Sequence, residues 1–70
     1  MSAVEYLRQV RTEHARRRDL LTEKLLMLVE RYRLPWEDPR LQKIREGICD
    51  ACDQVELADK AIDLLREDLS

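Results

Sequence analysis

Between Leu41 and Leu69, apolar residues return every three or four positions. Leu41, Ile48, Val55, Ile62 and Leu69 form one set, and Ile44, Ala51, Ala58 and Leu65 form the other. That alternation winds a single apolar stripe along an α-helix, the seam of a coiled coil. The alanines at 51 and 58 let a facing helix approach closely, because interaxial distance follows the size of the contact residues. The N-terminal half repeats the spacing less cleanly. Val4, Leu7, Leu21, Leu25, Leu28 and Tyr32 keep it, but the middle of the stripe reads Arg11, His14, Arg18.

The ends of these two helices are written in local chemistry. Ser2-Ala3-Val4-Glu5 is a capping box, and Met1 and Tyr6 stand where a hydrophobic staple would close it. No Gly or Pro follows until Leu34-Pro35-Trp36-Glu37-Asp38-Pro39. Leu34 precedes a proline and is pushed out of the helical region. Asp38 before Pro39 reads as an N-cap and a first helical residue. Gly47 is the one weak point of the second helix, at a cost of about 1 kcal/mol relative to Ala. The pattern predicts helix 1 over about 3–33, a turn over 34–38 and helix 2 over about 39–68. The short connection predicts antiparallel packing, so residues 1–70 form one all-α helical-hairpin domain, coiled-coil-like, with helices roughly 45 Å long.

Folding such a hairpin with a minimal turn sets residue 18 opposite about residue 55, and residue 14 opposite about residue 59. The polar interruption would then face Glu56, Asp59 and Asp63. The expectation is an ion-pair layer that fixes register. Pairing of His14 with Asp59 would favour the charged imidazole and make assembly pH-sensitive.

Two helices bury little, and a chain of this size is marginal even as a globule. A second set of apolar positions bears on this. Leu20 and Met27 lie seven apart, well off the main stripe of helix 1. Leu57 and Leu64, with Ala61 between them, do the same on helix 2. Secondary stripes of this kind are normally covered by another helix. The expectation is a homodimer, with hairpins pairing head to tail about a two-fold axis as a dimeric four-helix bundle. Docking of the same stripes on a different protein is the competing possibility.

Composition narrows the functional classes. The 70 residues are 40% charged, 44% hydrophobic and 4% aromatic, with one Gly and no Phe. No apolar run approaches the length of a membrane span, and no glycine loop exists to cradle a phosphate. The absence of a leader-like N-terminus, together with two cysteines, points to the cytoplasm. The net charge of -2 hides a division: residues 1–34 carry eight basic and five acidic side chains, residues 35–70 five and ten.

Candidate chemistry is sparse. Cys49-Asp50-Ala51-Cys52 is a C-x-x-C placed mid-helix, where packing is favoured over redox or metal roles. The only His is His14, without a nucleophile signature near it. Consequently no catalytic, cofactor-binding or metal-ligating residue is assigned, and an enzyme is not expected. Arg8, Arg11, Arg16, Arg17 and Arg18 form the densest basic cluster and are the candidate nucleic-acid contacts. Trp36 sits between two prolines. It is expected to cap the core against Tyr32 or Leu41, with a role as a binding anchor as the alternative. The leading expectation is a small regulatory protein-interaction module using Leu20, Met27, Leu57, Ala61, Leu64 and Trp36. A small RNA- or DNA-binding bundle is the alternative.

Overall fold

The computed structural model describes the backbone of residues 2–69 and the side chains of residues 2–66. Two helices, α1 (Ala3–Arg31) and α2 (Pro39–Leu69), pack along their lengths as a hairpin. Neither is apolar enough over a sufficient length to cross a membrane.

Each helix begins as its sequence requires. Ser2 is extended, with φ -77° and ψ 161°, and its Oγ accepts from the Glu5 amide at 3.1 Å. The Tyr6 amide closes the first turn on the Ser2 carbonyl at 3.0 Å. The expected partner of Tyr6 in the staple, Met1, lies outside the described residues. At α2 the Asp38 carboxylate accepts from the Arg40 amide at 2.9 Å and from the Arg40 guanidinium at 3.0 and 2.9 Å. The Arg40 donors hold the Asp38 carboxyl below its ordinary value of 3.8, and the Asp38 carboxylate in turn raises the pKa of Arg40.

The C-terminus of α1 departs from expectation. The helix stops at Arg31, with Tyr32 as C-cap. Arg33 takes a positive φ of 51°, the left-handed conformation that commonly ends helices and that glycine usually supplies. The Leu34 amide turns back to the Leu28 carbonyl at 3.4 Å, and the Asp38 amide to the Pro35 carbonyl at 2.9 Å. Two helical residues are thereby moved into the connection, and Tyr32, expected in the core stripe, is exposed.

The longer connection shifts the register. Arg11 pairs with Asp59 at 2.8 Å, Arg17 with Asp50 at 3.2 Å, and Gly47 lies against Leu21. The expected facing of 18 with 55 and 14 with 59 is therefore displaced by about four residues, one helical turn. At the observed register His14 stands level with about Val55. The anticipated polar layer forms only in part, through Arg11 and not through His14 or Arg18. Arg11 takes the Asp59 carboxylate, Arg18 pairs locally with Asp19 at 3.3 Å, and the buried Nδ1 of His14 has no hydrogen-bond partner among the described residues.

The core is narrow. Leu41, Ala51, Ala58 and Ile62 of α2 and Leu25 of α1 are buried, while Ile44, Ile48, Val55 and Leu65 are half-buried. So are Val4, Leu7, Leu21 and Leu28. Leu69, the last member of the α2 stripe, has its side chain outside the described residues. Gly47 belongs to this packing: a Cβ there would meet Leu21 Cδ1 at 3.1 Å. The single glycine of the chain thus makes room for a core leucine and is more than a weak point in the helix.

The shape follows from having only two helices. The molecule measures 51 × 18 × 13 Å with a radius of gyration of 15.7 Å, against about 11 Å for a compact 70-residue domain. Its accessible surface is 5649 Å², whereas a globular monomer of this mass exposes about 4,600 Å². The hairpin therefore leaves roughly 1,000 Å² more surface wet than a chain of its size normally does.

Candidate interaction surfaces

Most of the large apolar side chains left in solvent lie away from the α1–α2 seam. Leu20 and Met27 of α1 are 60% and 42% exposed, and Leu57 and Leu64 of α2 are 59% and 63% exposed. Ala61, between the latter two, is half-buried. On an α-helix a seven-residue interval returns to nearly the same angle, so each pair forms a short stripe. Tyr6 and Leu26 are also exposed; Tyr6 falls two heptads before Leu20, separated from it by the charged Glu13, and Leu26 lies off the seven-residue interval.

Two cross-helix ion pairs among the described residues mark the two sides of the hairpin, Arg17–Asp50 on one and Arg11–Asp59 on the other. All four side chains are about half exposed, so each pair contributes little, about 0–1 kcal/mol. Their effect on the basic cluster is larger. Of the five arginines, Arg11, Arg17 and Arg18 are engaged by Asp59, Asp50 and Asp19. Arg8 and Arg16 are exposed. Arg8, Arg11 and Arg66 line an open groove near the free end of the hairpin, but Asp59 and Asp63 line it too. A phosphate approaching that groove meets opposed charges.

Trp36 is half-exposed, and the guanidinium of Arg45 lies over its ring, 4.3 Å from the centroid. An Arg45 nitrogen also donates to the Trp36 carbonyl at 3.5 Å. A cation placed over an indole face is attracted by the ring quadrupole, by about 0.5–1 kcal/mol at an exposed site. The Arg45 guanidinium thus covers one face of a ring that otherwise stays half-exposed, instead of the core capping expected of it. Arg45 lies nine positions from Trp36 and outside every apolar stripe, so periodicity does not mark it.

Cys49 is exposed and Cys52 half-buried, both as free thiols. Among the described residues no three His, Cys, Asp or Glu side chains gather closely enough to hold a metal ion. Comparisons of this chain with protein-family models, with curated proteins and with solved structures found no match.

Proposed function

We propose that this protein is a small non-enzymatic interaction module. It associates with a second copy of itself, bringing four helices together, and offers the Trp36 turn to a partner protein. The observation that carries this reading is the exposure of Leu20, Met27, Leu57 and Leu64 on a hairpin whose surface exceeds that of a globular chain. Apolar stripes of regular spacing, rimmed by charge, are what helix-to-helix docking uses. A nucleic-acid role has less support, because three of the five clustered arginines already face aspartates.

Sedimentation equilibrium over about 10 μM to 1 mM tests the proposal, a range suited to an interface below standard size. Weight-average mass rising above one chain is expected. A folded single chain throughout that range would contradict it. An electrophoretic shift of RNA or DNA, lost on replacing Arg16, Arg17 and Arg18 by Ala, would favour the nucleic-acid reading instead.

A further inference from the structure

We infer that the occupant of the exposed stripes is a second copy of this chain in one particular register, with residue i of α1 beside residue i + 37 of the copy's α2. The inference rests on the self-association reading and gives it a geometry. Around Leu20 and Met27, the back of α1 reads Arg16, Leu20, Glu23, Met27. Around Leu57 and Leu64, the back of α2 reads Asp53, Leu57, Lys60, Leu64. Both run with intervals of four, three and four, so both are coiled-coil seams of the same length. All eight side chains are exposed, and none of the four charged ones takes part in a salt bridge among the described residues.

Set side by side at an offset of 37, the two seams match throughout. Leu20 meets Leu57, Met27 meets Leu64, Arg16 meets Asp53 and Glu23 meets Lys60. A slip of one heptad either way destroys the match, placing Arg16 against Lys60 or Glu23 against Asp53. Repulsion in the wrong registers is how paired helices specify the right one. The like-charged positions Glu13 and Asp50 bound the matched stretch at one end. Asp50 already has Arg17 as an ion-pair partner.

The hairpin's own register supports the same arrangement. Arg11 beside Asp59 and Arg17 beside Asp50 put Leu57 level with about residue 12 of α1. Turning a copy end over end about the level of residue 16 brings Leu57 beside Leu20. Because α1 spans Ala3–Arg31, that level is almost its middle. The two copies then overlap along nearly their whole length, with α1 parallel to the copy's α2.

This contact is not self-complementary. At 100° per residue each seam lies roughly 160° around its helix from the core stripe, so the two seams look outward from opposite edges of the hairpin. A copy seated on the edge of α1 leaves α2 free, and the copy's own α1 is free as well. The four helices lie edge to edge instead of closing around one core, and a third copy can add. Heterologous contacts that do not close make open chains. The matched stretch covers only about three turns, short of a standard interface of about 1,200 Å², so association is weak and visible chiefly at high concentration.

Sedimentation velocity on charge-reversed chains tests the register. Arg16→Glu and Asp53→Arg alone are each expected to weaken association about tenfold, and the double variant to recover it. The swap of Glu23→Lys with Lys60→Glu is an independent repeat. Circular dichroism of each variant should match the parent, since these four charges make no salt bridge among the described residues. Leu20→Asp and Leu57→Asp chains should each fail to associate alone, yet form a dimer and nothing larger when mixed. The parent chain should pass beyond two copies as concentration rises. Singles that associate like the parent, or a double variant that stays weak, would overturn the register. A mass that plateaus at two chains would overturn the open-ended geometry. A parent chain that never associates would instead remove the self-association reading itself.

Discussion

The inner and outer faces of α2 carry apolar residues at the same heptad spacing in opposite surroundings. On the inner face Leu41, Ala51, Ala58 and Ile62 are covered by α1. On the outer face Leu57 and Leu64 repeat at the same interval and are more than half exposed. Helix propensity does not demand leucine at those outer positions; a charged residue would serve an isolated helix equally well. The difference between the faces is therefore whether a partner helix is present, and the chain itself supplies only one.

Substitutions can be ranked by which face they touch. Leu41→Ala removes the largest fully buried side chain of the inner seam and should cost about 3 kcal/mol. Thermal unfolding followed at 222 nm should show a large fall in midpoint. Leu57→Asp touches only the outer seam. In dilute solution its helix content should equal the parent's, while its sedimentation at high concentration should be that of a single chain. If Leu57→Asp unfolds the dilute hairpin as Leu41→Ala does, the two faces are not energetically distinct.

Smaller changes sharpen the contrast. Arg33 holds a positive φ that a non-glycine residue adopts at a cost. Arg33→Gly should stabilise the hairpin by about 0.5–1 kcal/mol without altering association. Gly47→Ala should be close to neutral. It gains about 1 kcal/mol of helix propensity but forces Leu21 to yield a few tenths of an ångström. A destabilisation above about 2 kcal/mol would mean that Leu21 has nowhere to go.

Acidification offers the gentlest probe. Asp38 has its carboxyl lowered in the folded chain by hydrogen bonds from Arg40. Its contribution is present above the ordinary carboxylate value of 3.8 and is lost as pH falls through the lower folded value. Asp38→Asn, which keeps the cap oxygen without the titrating charge, should lose less stability than the parent across that acid window in pH-dependent melting.

The α2 seam was legible from Leu41 to Leu65, among the described residues, because nothing interrupts its spacing. Its start was legible because Asp38-Pro39 encodes a cap and a first turn. The end of α1 was not, because Arg33 does the work that a glycine would have advertised. That one residue carried the error further. It moved two residues into the connection; the observed register differs from the expected one by about a turn, with Asp59 beside Arg11 and, among the described residues, no partner for the His14 Nδ1. The stacking of Arg45 on Trp36 was beyond reach for another reason: it depends on how a turn folds back, which periodicity does not record. The outer stripes were visible from their seven-residue interval. Their charge match was legible only once the hairpin register had set the level of each residue.

Melting midpoint against protein concentration tests most directly whether one hairpin suffices. A molecule completed by other copies gains stability by mass action. Its midpoint should climb by several degrees between about 10 μM and 1 mM, and Leu57→Asp should abolish the climb. A midpoint identical across that range, in a fully helical single chain, would show that the hairpin stands on its own and that its outer leucines need no cover.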